Sequence, residues 1–163
     1  MKLNREMFQF FKNQGGYDSL GRSTEQIRSV EQLRQAAEVC ERLNLHGIVL
    51  VGATHILSDG LYLSNFFLKE KLKTCVLVVP ATVDGNIRHN GLIEAPIGFD
   101  TSSKIYAQLV GNIMTDAASA IKYWYFIRLM GRDPSHLVLE TGLTTHPNHV
   151  VISEDAVSKG QTL

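Results

Sequence analysis

The residues best equipped for chemistry gather in one short stretch, Thr82-Val83-Asp84-Gly85-Asn86. A hydroxyl, a carboxylate and a carboxamide stand at alternate positions, with a glycine to relax the backbone between the last two. A carboxylate so placed can accept the proton of a substrate hydroxyl. Directly upstream, Thr74 to Val79 is a short apolar run rich in valine, and it stops at Pro80. A run of that length reads as a buried strand, which the proline cannot extend. In open α/β sheets, ligands sit where the chain leaves the carboxyl ends of the strands. The same residues also make an ordinary Asp-Gly turn, so the elements around them have to decide.

Those elements alternate. Asn4 to Lys12 reads as a short helix ended by Gly15-Gly16, and Tyr17 to Arg28 as a polar, turn-rich segment. Ser29 and Gln32 form a capping-box signature, opening a helix that stripes Val30, Leu33, Ala37 and Cys40 along one face up to His46-Gly47. Ile48 to Val51 is a first buried strand closed by Gly52, followed by a loop Ala53–Ser58 and a helix from Asp59 to Lys71. After the Thr74–Val79 strand, Pro80 to Asp100 shows no periodicity, and a connection that long is more often functional than idle. A helix from Thr101 to about Ala120 carries Ile105, Leu109, Ile113 and Ala117 in steps of four, with Val110 and Met114 beside them. Tyr123–Met130 reads as a third strand and His149–Ile152 as a fourth. Between them Asp133-Pro134 pairs an N-cap with a first-turn proline. The tail from Ser153 to Leu163 is polar and expected to be loose.

This alternation predicts an α/β fold, a doubly wound and mainly parallel sheet with helices on both faces, in a single domain over residues 1–163. The loops Ala53–Ser58, Pro80–Asn86 and Gly131–Arg132 then open on one edge of the sheet and enclose one cleft. That convergence favours a working Asp84 over an incidental turn.

Composition narrows the function classes. Of 163 residues, 44% are hydrophobic and 20% charged, ordinary for a globular domain with a real core. Sixteen basic residues balance sixteen acidic ones, which leaves no electrostatic footprint for nucleic acid or an anionic membrane. No apolar run approaches the length of a spanning helix and no signal-peptide core is visible. Cys40 and Cys75 both fall among apolar residues and read as buried thiols of a reducing compartment, so a cytoplasmic location is expected.

Several other residues invite sharper readings than they support. His146 and His149 have Pro147 between them and no third ligand, so they read as a solvated loop rather than a zinc site; no metal centre is expected. Ser135 and His136 are neighbours on a helix and point in different directions, so Ser135 reads as a first-turn residue bonding backbone amides. Trp124, Tyr125 and Phe126 read as core inside the third strand. Arg128, in that same strand, needs a partner, and either an ion pair or a ligand would serve.

Longer motifs then add a resemblance. Asn13-Gln14-Gly15-Gly16-Tyr17-Asp18, Gly98-Phe99-Asp100-Thr101 and the run Lys122 to Arg132 (KYWYFIRLMGR) stand alongside Ser135-His136 and His146-Pro147-Asn148. Together they closely resemble 6-phosphofructokinases of the long, pyrophosphate-dependent type, over roughly Phe10 to Asp155. Members of that family transfer a phosphoryl group to the 1-hydroxyl of fructose 6-phosphate, with magnesium in the intact enzymes. The resemblance implies that Asp84 is the general base and Thr82 a sugar-contacting threonine. It also implies that Met130, Gly131 and Arg132 hold the sugar phosphate, a role that suits a planar guanidinium. Arg22 falls at an arginine facing the phosphoryl donor.

The departures lie on the donor side. Where the family has Gly-Gly-Asp-Asp-Ser, this chain has Gly52-Ala53-Thr54-His55-Ile56, so the magnesium aspartate becomes Thr54 and the serine becomes Ile56. The lysine of the pyrophosphate type becomes Ala81, and the second carboxylate of Thr-Ile-Asp-Gly-Asp becomes Asn86. Phosphoryl transfer rests on positioning and on neutralising the transferred charge, and these changes remove both aids. With Asp18 to Arg22 and Thr115 to Ala120, the pattern looks most like the regulatory subunit or regulatory half of such enzymes. Retention of Asp84 departs from that type and keeps a catalytic alternative open. The resemblance further implies a piece of a longer polypeptide, inactive alone, with no magnesium of its own. It also implies a sugar phosphate and a catalytic phosphofructokinase subunit or domain as possible partners, and an oligomeric parent.

Overall fold

The structure, a computed structural model, describes residues 3–131 and 134–160. Its elements run α1 (Arg5–Phe11), α2 (Tyr17–Leu20), α3 (Val30–Arg42), β1 (Gly47–Gly52), α4 (Thr54–Lys69), β2 (Cys75–Pro80), α5 (Phe99–Ala120), α6 (His136–Thr145) and α7 (Ser153–Ser158). β1 and β2 pair in parallel, with Gly47 opposite Cys75 and Gly52 opposite Pro80. Parallel neighbours need a crossover, and α4 supplies it. The α/β class and the parallel pairing expected from the sequence are both present.

The capping box forms as read. Ser29 Oγ accepts from the Gln32 amide at 3.1 Å, and Gln32 Oε1 accepts from the Ser29 amide at 3.0 Å. Ala37 and Cys40 on α3 pack with Leu63 and Phe67 on α4, and Ile48, Leu50 and Val76 of the sheet close the cluster from below. Val30, expected on the same stripe, is exposed instead. Only Cys40 of the two cysteines is buried, and burial raises its thiol pKa despite an opposing hydrogen bond with Thr74; Cys75 is exposed. α3 and α4 cover one face of the sheet, whereas Val49, Val51 and Leu77 on the other face are exposed.

Helix α4 begins at Thr54, five residues before the expected start at Asp59, so the anticipated Ala53–Ser58 loop shrinks to the single residue Ala53. Burial explains the phase. Asp59, Gly60, Leu63 and Phe67 form the buried stripe, and a Cβ on Gly60 would run into Val78, so helix and sheet approach closely only because that position is glycine. Asp59 is only 1% exposed, and its carboxylate accepts from the Ile27 amide at 3.3 Å. That contact ties the irregular segment 21–28 to α4.

On α5 the buried residues are Ser103 and Val110, with Tyr106, Ala107, Ile113, Met114 and Ala117 partly covered. The step-of-four row thus divides: Ile113 and Ala117 share the covered side, while Ile105 and Leu109 face outward. The two anticipated later strands do not form among the described residues. Tyr123–Met130 is irregular and unpaired, and so is His149–Ile152. Trp124 and Phe126 are 89% and 96% exposed, not core, and Arg128 lies on the surface rather than in a buried strand. Aromatic and β-branched residues favour strands only where a neighbouring backbone is there to pair. The tail is also more ordered than expected, since Ser153–Ser158 is helix α7. Asp133 lies outside the described residues; helix α6 begins at His136 with Ser135 as its N-cap.

Candidate functional site

The turn that follows β2 is built from both sides. The Ala81 amide donates to the Gly52 carbonyl at 2.8 Å, which fixes the ends of β2 and β1 side by side. Ile97 then runs alongside: its amide donates to the Pro80 carbonyl at 3.0 Å, and its carbonyl accepts from the Thr82 amide at 2.9 Å. The long irregular connection thereby returns to the strand end it left, closed by a parallel bridge between Ala81 and Ile97.

Inside the turn, Thr82 Oγ1 accepts from the Gly85 amide at 3.1 Å and donates to Asn86 Oδ1 at 3.0 Å. Gly85 has φ +68°, and a Cβ there would lie 2.7 Å from Phe99 Cδ2. Both its handedness and the ring of Phe99 therefore demand glycine. Arg88 closes the outer side, with Nε donating to the Gly85 carbonyl at 3.1 Å and the guanidinium 5.4 Å from the centre of the Phe99 ring. Gly98, φ +103°, passes so near the Thr82 carbonyl that a Cβ would sit 3.3 Å from it. Phe99, Gly98 and Arg88 thus mould the turn. The sequence offered one signal for them, a glycine directly before a long helix.

Asp84 projects from this rigid turn half-buried, and no side chain among the described residues hydrogen-bonds its carboxylate. The chain comes back to it at Gly131. A Cβ on Gly131 would stand 3.9 Å from Asp84 Oδ1, and Gly131 has φ +155°. Gly131 and Met130 form one wall of a surface cleft of about 400 Å³ with Tyr106, Arg128 and Leu129. Thr82, Asp84, Asn86 and Gly131 are therefore brought together although Tyr123–Met130 makes no strand. Arg132 lies outside the described residues.

The opposite side of the turn is occupied differently. Gly52 and Ala53 lead directly into α4, and the side chain of Ile56 folds back over Gly52, where a Cβ would meet Ile56 Cγ1 at 2.5 Å. Thr54 is exposed at the first turn of α4, and Ala81 offers only a methyl group. Asn86 Oδ1 already accepts from Thr82. A hard divalent cation prefers carboxylates, and these residues do not fit one. Among the described residues, no group of three His, Cys, Asp or Glu side chains is placed to hold a metal ion. Arg22 is exposed after α2, its guanidinium 5.5 Å from the centre of the Tyr17 ring. Among the described residues no hydrogen bond or ion pair joins it to Gly52, Thr54 or Asp84.

Ser135 differs from its expected role. Its hydroxyl makes no cap bond within α6 but donates to Glu154 Oε2 at 2.6 Å, while its amide donates to Glu154 Oε1 at 2.7 Å. The Ser135 hydroxyl is the largest cause, with backbone amides, of a Glu154 carboxyl held down at about 2. This junction joins α7 to the start of α6.

A βαβ unit with its built turns at the carboxyl ends of parallel strands defines an α/β protein whose ligands would be expected at that edge. The phosphofructokinase family model matches residues 1–162, and the chain belongs to that family. It is 44% identical over its whole length to the pyrophosphate–fructose 6-phosphate 1-phosphotransferase subunit alpha 2 of Arabidopsis thaliana, of which it covers 26%. It is 39% identical, again over its whole length, to subunit beta 1 of the same plant, covering 29%. With the pyrophosphate–fructose 6-phosphate 1-phosphotransferase of Treponema pallidum (strain Nichols) it shares 41% identity over 94% of the chain and 26% of that protein. The chain thus spans about a quarter of the length of these curated relatives.

Proposed function

We propose that this phosphofructokinase-family domain keeps the acceptor side of a phosphotransferase site and has lost the donor side, so that it binds a sugar phosphate and serves a regulatory or scaffolding role. The observation that carries this reading is the approach of Gly131 to the Asp84 carboxylate on a turn braced by Phe99 and Arg88. Thr82 and Asp84 would face the sugar, with Met130, Gly131 and Arg132 along its phosphate side. The donor side supports the loss: Ile56 covers Gly52, and neither Thr54 nor Ala81 carries a charge for pyrophosphate or magnesium. Asn86 is engaged with Thr82, and Arg22 stands apart.

Two further parts of the reading concern partners and place. The relatives named above include subunits designated alpha and beta, which supports a catalytic phosphofructokinase subunit as partner and an oligomeric assembly. No helix among the described residues is long and apolar enough to cross a membrane. A cytoplasmic location is part of the same proposal, on the reading of the two free thiols as those of a reducing compartment.

A second reading, a catalytic pyrophosphate-dependent domain using Asp84 as base, is favoured by one observation. The carboxylate is held in place with no hydrogen-bonding side chain on it among the described residues. A coupled assay with fructose 6-phosphate, magnesium and either pyrophosphate or ATP separates the two. The first reading expects no turnover. Turnover abolished by Asp84→Asn would establish the second.

A further inference from the structure

A second cleft, sharing no residue with the one at Gly131, lies between α5 and α6. Its volume is about 660 Å³, within the range that small-molecule sites occupy. On α5 the lining runs from Asp100 to Gly111, roughly 16 Å of helix, so the cleft is elongated. Its floor is kept open. Ala107 and Gly111 stand one turn apart on the same face of α5. Helix interiors favour alanine over glycine, and nothing local demands glycine at position 111. Its φ is not positive, and a Cβ there would meet no heavy atom within 4 Å. Glycine therefore leaves bare helix backbone open to close approach by a ligand. The packing of α6 is incomplete in the same place. Thr141 shares a face with Thr144 and Thr145, which line the cleft, and it is only 3% exposed. Its hydroxyl is the one buried side-chain polar atom without a hydrogen-bond partner among the described residues, and buried polar atoms are rarely left unpaired.

Hydrogen-bond polarity selects the ligand. The hydroxyls of Ser103, Thr144 and Thr145 donate to the Asp100, Glu140 and Thr141 carbonyls of their own helices, at 3.0, 2.8 and 2.8 Å. Their protons are spent, so they offer the cleft only acceptor oxygens. Charge agrees. Lys104 is held by Asp100 at 2.8 Å, and neither ion pair among the described residues involves the exposed Glu140. Glu140 therefore supplies the uncompensated charge of the cleft. We infer that the α5–α6 cleft binds a small, elongated organic cation rich in N–H donors, an alkyl-ammonium or guanidinium compound. Its cationic head lies on the Glu140 carboxylate, and its other N–H groups lie on the threonine and serine oxygens. Glu140 repels an anion, and a neutral polyol finds few donors for its own oxygens. This site is independent of the acceptor-side reading, with which it shares no residue.

Calorimetric titration of the protein with spermidine, with agmatine and with triethylene glycol tests the assignment, with circular dichroism confirming that each variant is folded. Spermidine or agmatine should bind saturably, whichever head group fits, and the uncharged glycol should not. Glu140→Gln keeps the size and removes the charge, and it should weaken the amine about tenfold or more, the scale of a lost hydrogen bond to a charged group. Glu38→Gln makes the same change of net charge on an exposed position of α3 and should leave binding unaltered. Gly111→Leu should abolish binding without lowering the melting temperature, because the new side chain enters open space and leucine suits a helix. Amine binding that Glu140→Gln and Gly111→Leu leave as strong as Glu38→Gln does would overturn the site and reduce it to diffuse attraction. Absence of binding by both amines overturns it as well.

Discussion

Gly85→Ala should unseat the turn that carries Asp84, and the structure gives the size of the effect. At φ +68° an alanine occupies the left-handed region, which costs an L-residue roughly 1–2 kcal/mol. Its Cβ would also lie 2.7 Å from Phe99 Cδ2 and 3.0 Å from Cε2, well inside an ordinary carbon contact. Relief requires Phe99 to leave its place beneath the Arg88 guanidinium, and overpacking of this kind costs about 1–3 kcal/mol. The sum, about 2–5 kcal/mol, should lower the urea midpoint on the order of 1–2 M for an ordinary m-value. Phe99→Ala provides the control, because it removes the ring that the new Cβ meets. In that background Gly85→Ala should cost only the dihedral part, about 1–2 kcal/mol. Equal losses in the two backgrounds would refute a steric role for Phe99, and no loss in either would refute the turn geometry itself.

Two further outcomes concern the cleft and the α6–α7 junction. Arg132→Ala should weaken fructose 6-phosphate by roughly 1.5–3 kcal/mol, whereas Thr54→Asp should leave it unchanged because Thr54 stands on the donor side; calorimetry reads both. Glu154 titrates at about 2 against an ordinary 4.5 because the Ser135 hydroxyl and nearby amides bond its ionised form. A depressed folded value means the contribution is fully present above about pH 4.5 and lost as the pH falls toward 2. Amide exchange at Ser135 and along α7 should accelerate across that window, and Glu154→Gln should abolish the dependence.

The parts of the molecule that were legible in the sequence are those fixed by local rules. Ser29 and Gln32 announced α3, the apolar runs announced β1 and β2, and the hydroxyl–carboxylate–glycine stretch announced the turn. The start of α4 was less legible, because its phase is set by what Gly60 and Leu63 meet on the sheet. Trp124 and Phe126 carried a strand's composition into a segment with no backbone to pair with among the described residues. Ser135 read as a first-turn residue bonding backbone amides, yet its hydroxyl's partner is Glu154, nineteen residues away. The clamp of Phe99 and Arg88 on Gly85 is a tertiary match, invisible to periodicity. The proximity of Gly131 to Asp84 was expected from adjacent parallel strands, and it is reached here without the third strand.

The central claim is that one half of a phosphotransferase site persists here without the other. Side-by-side titration of the protein with fructose 6-phosphate and with pyrophosphate plus magnesium tests it most directly. The account predicts saturable binding of the sugar phosphate, weakened by substitution at Arg132, and no binding of pyrophosphate. Tight pyrophosphate binding that requires magnesium, with no binding of fructose 6-phosphate, would contradict it.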